Sequence, residues 1–321
     1  MADPAPFFIV GAGRSGTTLL RLILIGHSRL HIPPETWFLR PLVQQFPLSG
    51  GLTQPLLERA VDTMVRHERW PDLGLAADEL RQQAAALTPR GTMPELRDLI
   101  DLLYRNLAAA SGKPRIGDKT PHYFDIVPQL AMLYPAAKFV HLVRDGHDVA
   151  MSWIDAGWLR YYQPGFEWPR AIACLARDRA ALADRMLPVR YEDLVRQPQE
   201  TTRRICEFLG ETFEQGMLDW QGRAGQVAVR DRHLHGRLAQ PLASDSIARW
   251  QRRLSGWECF AMEACLHREL LAAGYTLRFT APGWRPWFGL TAGLLRVSAP
   301  VLRRGIRVLQ RCRLLPRNLY I

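Results

Sequence analysis

The sequence predicts a three-layer α/β fold with a central parallel sheet and helical insertions. The first observation is the unbroken apolar run Phe7–Val10, which is typical of a strand buried on both faces. The second is the glycine-rich turn Gly11–Thr18, which follows that run directly. The third is the helical spacing of apolar residues from Thr17 to Ile25. A strand, a turn and a helix in this order indicate a parallel α/β sheet.

The glycine turn predicts an anion site. Free backbone N–H groups at the start of a helix, together with the helix dipole, favour a phosphate group. Gly11, Gly13 and Gly16 let the backbone approach that group closely. The alternative is a turn that only connects the strand to the helix.

The turn is close to the P-loop pattern G-x-x-x-x-G-K-S/T, so the predicted sheet is P-loop-like. Thr17, however, stands where the pattern has a lysine. Because that lysine contacts the β and γ phosphates, its absence argues against ATP or GTP hydrolysis. Thr18 alone could still serve a magnesium ion. We therefore expect an anion other than a triphosphate.

Composition indicates one α/β domain with insertions. The chain has 321 residues and 47% hydrophobic content, enough to bury a large core. Its five cysteines show no C-x-x-C pattern and no metal-ligand spacing with histidine, so we expect reduced structural thiols. The N-terminus lacks the pattern of a signal peptide, and no stretch reaches the roughly 20 apolar residues of a spanning helix. The expected compartment is the cytoplasm.

The net charge of +11 comes mainly from the C-terminal end. Residues 276–321 carry nine arginines and no acid, so the rest of the chain has a net charge of only +2. This distribution argues against a nucleic-acid groove and divides the chain into a domain, 1–275, and a basic amphipathic tail. Trp284, Trp287 and Phe288 precede the tail's alternating apolar and arginine residues, a pattern typical of a segment at a membrane surface. We expect peripheral attachment to the inner membrane surface; the alternative is a helix docked on the domain.

A loop and a second helix are predicted after the first helix. Pro33–Pro34 breaks the chain path, and a helical pattern runs from Glu35 towards Gln45. Glu35 is thus expected on a loop near the glycine turn. Further helical patterns, predicted to form an inserted cap over the sheet edge, cover residues 55–70, 76–88 and 93–110.

A short strand beginning at Arg115 ends in a charged turn that contains Lys119. Because sites in α/β sheets lie at the carboxyl ends of strands, Lys119 is predicted to be a cation that faces a ligand. The alternative is a solvated surface lysine.

A second buried strand is predicted at Lys138–Val143, and it runs into Arg144 and a further helix. Arg144 at the strand end and Ser152, about two turns into the helix, suit a second phosphate some distance from the first. The strand could also be a Walker B strand with Asp145 on magnesium, an interpretation that the missing P-loop lysine weakens.

The rest of the domain is predicted to be mainly helical. Residues 221–245 show no clear period, and such a segment in a compact domain is usually a functional or a disordered loop. The other predicted elements are a strand at Leu187–Tyr191 and helices at about 123–133, 168–186, 198–209, 246–254 and 257–272.

Over residues 7–275 the sequence resembles the sulfotransferases that use 3′-phosphoadenosine 5′-phosphosulfate (PAPS). Gly13–Thr18 looks like their 5′-phosphosulfate loop, and Phe139–Ser152 looks like their 3′-phosphate segment. Arg190–Leu194 and Arg249–Trp250 also match the family. The resemblance implies PAPS as the donor, without a metal ion. It implies donor binding by Gly13, Arg14, Ser15, Gly16, Thr17, Thr18, Arg144, Ser152 and Tyr191.

Within that family the sequence is most similar to the tyrosylprotein and related bacterial branch. There the loop carries arginine, and a Glu-Thr pair follows the first helix. The match implies that Glu35 is the catalytic base and that Arg14 and Lys119 stabilise the transferring group. Gln240 departs from the lysine that the branch often has in its segment, and the luminal disulfide of the animal enzymes has no counterpart here.

We therefore expect transfer of a sulfuryl group from PAPS to an acceptor hydroxyl on a glycan, lipid, peptide tyrosine or small molecule. Glu35 would take the proton. His122 is the competing base because it adjoins Lys119, and the alternative role for Glu35 is to cap a helix. The alternative functions are a P-loop kinase that uses ATP-Mg and a non-enzymatic protein that binds a membrane surface or nucleic acid.

Overall fold

The computed structural model describes residues 4–87, 93–157, 167–234 and 246–280, and the single positions 238, 283, 287, 288 and 291. A five-stranded parallel sheet lies at its centre. The strands are β1 (Phe7–Gly11), β2 (Leu30–His31), β3 (Arg115–Lys119), β4 (Lys138–Val143) and β5 (Met186–Arg190).

The strands are ordered β2-β3-β1-β4-β5, so the first strand of the chain is central. β1 pairs in parallel with β3 and β4, and all five of its residues are buried. Phe7 lies opposite Gly117 of β3, where a Cβ atom would come within 2.3 Å of the Phe7 ring. Glycine at this position therefore makes room for an aromatic residue in the middle of the sheet.

Helices fill the connections between the strands. Those of the described residues are α1 (Thr17–Leu24), α2 (Leu39–Gln45), α3 (Gln54–Val65), α4 (Ala77–Ala85), α5 (Leu96–Ser111), α6 (Val127–Leu133), α7 (Gly146–Asp155), α8 (Trp168–Leu182), α9 (Tyr191–Arg196), α10 (Pro198–Leu209), α11 (Arg249–Arg253) and α12 (Gly256–Ala272). α1, which follows the central strand, is buried along its whole length. Between β2 and β3, helices α3, α4 and α5 pack on one another, and α5 also contacts both strands.

The structure confirms the predicted α/β class and its parallel sheet. β4 has the predicted bounds, and β5 lies one residue earlier than predicted because Tyr191 already begins α9. Pro188 in β5 fits the strand's place at the sheet edge, since proline cannot donate to a central ladder. β2 was not predicted, because two residues are too few to show a period.

Three segments differ locally from their predictions. Glu35 lies on the expected loop, but the helix after it begins only at Leu39 because Trp37 has a left-handed φ of 53°. The helix predicted from Tyr123 to Leu133 is a 3₁₀ turn, Pro121–Asp125, followed by α6. In the segment 221–245, the described part forms two 3₁₀ turns, Gln221–Gln226 and Val229–Leu234.

The described residues fall into two compact units. The first consists of the described residues of Met1–Gly11, Gly16–Leu142 and Cys174–Leu242. The second consists of those of Ala12–Ser15, Val143–Ala173 and Ala243–Ile321.

The basic tail lies almost entirely outside the described residues, so its attachment to a membrane surface stays a prediction. Of the aromatic residues before it, Phe288 is buried, with its ring 5.2 Å from the Phe260 ring of α12. Trp287 is 57% exposed, and Trp284 lies outside the described residues. Among the helices that the structure does describe, none has the length and apolar character needed to span a bilayer.

Candidate active site

The glycine turn passes into α1 at Gly16, which is the N-cap and has a φ of 94°. A Cβ atom on Gly16 would lie 2.4 Å from the ring of Tyr191, the first residue of α9. Glycine is therefore required here both by the backbone and by the aromatic ring beside it. Thr17 and Thr18 follow in the first helical turn and are buried. In the first unit, the structure thus brings together four of the residues predicted to bind the donor.

A buried ion pair in this unit joins Glu35 to Lys119, the last residue of β3. Lys119 Nζ lies 2.5 Å from Glu35 Oε1 and donates to Thr18 Oγ1 at 3.3 Å. Trp37 Nε1 donates to the other carboxylate oxygen of Glu35 at 2.8 Å. The Lys119 side chain is only 4% exposed, so it is not a solvated surface lysine, and its role as a ligand-facing cation stays a prediction.

The pair sets the charge state of both groups. Burial raises the pKa of Glu35, but the charge and hydrogen bond of Lys119 and the hydrogen bond of Trp37 together bring it below its ordinary value. Burial lowers the pKa of Lys119, and the charge of Glu35 offsets this only in part. At neutral pH Glu35 is therefore an ionised carboxylate, able to accept a proton.

A buried network fixes the chain directly after Glu35. The Thr36 hydroxyl donates to Asp118 at 2.7 Å, and the Thr36 backbone N–H donates to the Thr120 hydroxyl at 3.1 Å. The Tyr123 hydroxyl lies 2.7 Å from the Thr36 hydroxyl and accepts from the Leu39 backbone N–H at 3.1 Å. Burial raises the pKa of Asp118 to about 6, against the hydrogen bonds that lower it. These bonds anchor the Glu35 loop to the end of β3.

Arg21 of α1 fixes the chain on the other side of Glu35. Its Nε donates to the carbonyl oxygens of Ile32 and Pro33 at 2.9 and 3.0 Å. Burial lowers the pKa of Arg21 to about 10, although the negative charge of Glu35 raises it. Glu35 therefore lies between two anchored points of the chain.

A small cavity opens beside this carboxylate. Its lining residues all belong to the first unit and are Thr18, Arg21, Pro34, Glu35, Lys119, Val227, Ala228 and Asp231. The cavity thus combines a carboxylate, a buried lysine and a hydroxyl at the start of a helix. Such a combination can remove a proton and stabilise a developing negative charge.

Arginine and serine side chains meet in the second unit. Arg14 Nε donates to Ser152 Oγ at 3.1 Å. Arg144, 6% exposed, donates to the carbonyl oxygens of Arg14 and Ser246 at 3.2 and 2.9 Å. Burial and the positive charge of Arg144 lower the pKa of Arg14, with a raising contribution from Asp155. Neighbouring guanidinium groups favour the binding of an anion.

Ser15 adds a further indication of a ligand in the second unit. Its hydroxyl is buried, and within the described residues it makes no hydrogen bond. Buried hydroxyls are rarely left without a partner, so a ligand oxygen would satisfy it. At the neighbouring Gly13, the carbonyl oxygen accepts from Trp153 Nε1 of α7 at 3.0 Å.

Asp145 is occupied by structural contacts. Its carboxylate accepts from the His147 backbone N–H and from Trp250 Nε1, so it caps α7. The same carboxylate lies 2.8 Å from His147 Nδ1, and His147 Nε2 lies 3.4 Å from Glu263. Burial lowers the pKa of His147, but the hydrogen bonds to Asp145, Cys259 and Glu263 raise it well above its ordinary value. These contacts disfavour the Walker B interpretation.

The predicted catalytic residues thus fall into two groups. Glu35 and Lys119 contact each other in the first unit, whereas Arg14 contacts Ser152 and Arg144 in the second. The helix-cap alternative for Glu35 is not what the structure shows, because α2 begins at Leu39 with Phe38 as its N-cap. His122, the competing base, packs against Trp37 with ring centroids 4.3 Å apart and ring planes tilted by 37°.

Sequence reasoning missed Arg21, Trp37 and Asp231. Arg21 interrupts the apolar pattern of the first helix, and an arginine in a buried helix was the signal available for it. Trp37 directly follows the predicted Glu-Thr pair. Asp231 lies in a segment without a clear period, and nothing in the sequence connected it to Glu35.

Comparison with known proteins identifies the family. The model of the sulfotransferase family matches residues 6–215. Protein-tyrosine sulfotransferase 1 of Danio rerio is 26% identical over 264 residues, which are 77% of this chain and 66% of that protein. Nodulation protein NoeE of Sinorhizobium fredii is 28% identical over 240 residues, which are 65% of this chain and 51% of that protein.

A solved structure, the sulfotransferase domain of the Synechococcus PCC 7002 olefin synthase, is similar with a TM-score of 0.55 and 25% identity. The similarity covers 86% of this chain and 97% of that domain. The chain spans from about a quarter to two thirds of the length of the curated relatives it matches. Since the family model covers most of the chain and the fold agrees, the chain belongs to the sulfotransferase family.

Proposed function

We propose that the protein transfers a sulfuryl group from PAPS to the hydroxyl group of an acceptor. The observation that carries the proposal is the buried contact of Glu35 with Lys119, beside Thr18 at the start of α1. A carboxylate that is ionised, anchored on both sides and open to a cavity has the properties of a general base. PAPS would supply the activated sulfuryl group, and the protein's membership in the sulfotransferase family supports this choice of donor.

In the proposed reaction the acceptor oxygen forms a bond to sulfur while the bond from sulfur to the 5′-phosphate oxygen breaks. Glu35 takes the acceptor proton, and 3′-phosphoadenosine 5′-phosphate (PAP) leaves. Lys119 and the backbone N–H groups at the start of α1 offset negative charge on the transferring group. A sulfuryl group carries one fewer negative charge than a phosphoryl group, so fixed cations can serve where kinases use metal ions.

The second unit is proposed to bind the 3′-phosphate. Arg144 and the Ser152 hydroxyl would contact it, and Arg14 would support Ser152 through their hydrogen bond. The Ser15 hydroxyl would donate a hydrogen bond to an oxygen of PAPS. A phosphate that contacts the Arg144 guanidinium gains strong hydrogen bonds, which supports selective binding of a donor that carries a 3′-phosphate.

The kinase alternative has less support. Thr17 replaces the P-loop lysine, and the Asp145 carboxylate is used by His147 and Trp250. A kinase would need both a group for the γ-phosphate and a carboxylate for magnesium at these places.

We expect the transfer rate to follow the ionisation of Glu35 at acid pH and the ionisation of Lys119 at alkaline pH. Because the pKa of Glu35 lies below its ordinary value of 4.5, the rate should fall only as the pH drops below 4.5. Because the pKa of Lys119 lies below its ordinary value of 10.5, the alkaline decline should begin below pH 10.5. The measurement is the initial rate of label transfer from PAPS carrying sulfur-35 into an extract of the producing cells.

Circular dichroism at each pH separates loss of fold from loss of chemistry. An acid decline centred well above pH 4.5 would contradict Glu35 as the base.

A further inference from the structure

The proposed transfer leaves one part of the cavity without a role. Val227, Ala228 and Asp231 line the same cavity as Glu35 and Lys119, although they lie almost 200 residues further along the chain than Glu35. We call these three residues, Val227, Ala228 and Asp231, the cavity wall.

The cavity wall is fastened to the structure that holds Glu35. Arg21 Nη1 donates to the Gln226 carbonyl oxygen at 3.1 Å, while Nε of the same guanidinium holds the Ile32 and Pro33 carbonyl oxygens. Arg223 donates to the Leu22 carbonyl oxygen of α1 at 2.9 Å. The buried Arg21 thus ties both the Glu35 loop and the residue that precedes the wall to α1.

The far end of the wall is held by an ion-pair network. Arg69 Nη1 lies 2.6 Å from Asp231 Oδ2 and 3.8 Å from Asp72, and Arg230 Nε lies 3.1 Å from Asp72. The Arg69 and Asp231 side chains are mostly buried, with 15% and 19% exposed. Surface ion pairs contribute little to stability, but a partly buried network can hold a short segment in one position.

Neighbouring side chains in this part of the chain differ sharply in exposure. Val227 is 6% exposed, whereas Val229 is 74% exposed. Between them, Ala228 lines the cavity with the smallest side chain available short of glycine. A larger side chain at Ala228 would occupy the cavity next to Glu35, whereas the same change at Val229 would extend into solvent.

We propose that the cavity wall is the acceptor-binding side of the site and that Ala228 limits the size of the group attached to the acceptor hydroxyl. This proposal rests on the proposed sulfuryl transfer. The acceptor hydroxyl enters between Ala228 and Glu35. One carboxylate oxygen of Asp231 contacts Arg69, and the other accepts a hydrogen bond from a second group of the acceptor. The wall therefore selects an acceptor that carries another hydrogen-bonding N–H or O–H group, such as a second hydroxyl or an amine, near the reacting hydroxyl.

The test compares Ala228→Leu and Ala228→Trp with the neighbouring control Val229→Trp. Each full-length variant is incubated with PAPS carrying sulfur-35 and an extract of the producing cells, and the label in products is counted. Calorimetry measures the binding of PAP to the same samples. Pocket contacts of one or a few methylene groups discriminate by about 10- to 200-fold, so both Ala228 variants should label products at least about tenfold more slowly. Val229→Trp should match the wild type, and PAP affinity should be the same in all.

Each other outcome overturns a specific statement. Equal labelling by the Ala228 variants and the wild type would show that the wall does not meet the acceptor. A matching loss of PAP affinity would place Ala228 at the donor instead. If the wild type binds PAP but labels no product, the proposed transfer itself fails, and the acceptor wall fails with it. Asp231→Asn, which keeps the shape of the side chain, should slow labelling without changing PAP affinity. Unchanged labelling would show that the acceptor needs no second hydrogen-bonding group opposite Asp231.

Discussion

Glu35→Gln is expected to lower sulfuryl transfer by at least about 100-fold while leaving the binding of PAP nearly intact. Glutamine keeps the shape of the side chain and can still accept from Lys119 or Trp37, but it cannot take a proton from the acceptor. The expected loss is therefore in the rate of the chemical step. Transfer is followed with PAPS carrying sulfur-35, and PAP binding is followed by calorimetry.

The same substitution should also lower stability, because it leaves the Lys119 cation buried without a counter-ion. Removing one partner of a buried pair costs about 3–5 kcal/mol. The control is the double variant Glu35→Gln with Lys119→Met, which removes both charges and should regain stability without regaining transfer. A single Glu35→Gln variant that transfers at more than about a tenth of the wild-type rate would exclude Glu35 as the base. His122→Ala, measured beside it, tests the competing residue.

Arg144→Ala is expected to weaken PAP binding by about 2–5 kcal/mol, the cost of truncating one partner of a buried charge pair. Binding of adenosine 5′-phosphosulfate, which lacks the 3′-phosphate, should change little. The contrast between the two ligands is the measurement, because Arg144 also donates to the carbonyl oxygens of Arg14 and Ser246. A general loosening of the second unit would not distinguish the ligands.

Ser152→Ala is expected to weaken PAP binding less than Arg144→Ala does. It removes one hydroxyl that accepts from Arg14, and it should weaken PAP by about 1.5–3 kcal/mol, as expected for a hydrogen bond to a charged group. Equal losses for PAP and adenosine 5′-phosphosulfate in both variants would contradict the assignment of the 3′-phosphate to this cluster.

Local sequence patterns were sufficient for the parts of the molecule whose structure depends on neighbouring residues. The apolar run at Lys138–Val143 predicted β4 with its bounds, and the glycine turn predicted the strand-to-helix connection at Gly16. The family motifs then pointed to Glu35 and Lys119, whose contact the structure shows. Their catalytic roles stay predictions.

The parts that could not be predicted depend on contacts between distant residues. The Glu35 loop is shaped by Thr36 bonding to Asp118, 82 residues away, which no helical pattern reveals. Arg69 reaches Asp231 across 162 residues, so the cavity wall could not be connected to the site from the sequence. Arg21 would be costly in a buried helix unless carbonyl oxygens accepted its hydrogens, and those carbonyls come from loops that only the fold brings near.

The central claim is that the protein binds a 3′-phosphorylated sulfuryl donor. It is tested most directly by titrating the full-length protein with PAP in the presence of a chelator and, in a separate titration, with ATP and magnesium. We predict saturable binding of PAP without metal and no comparable binding of ATP-Mg. The reason is that the Arg144 and Ser152 cluster is proposed to recognise a 3′-phosphate, and Thr17 replaces the lysine of the P-loop. Tight binding of ATP-Mg with no binding of PAP would contradict the account and restore the kinase alternative.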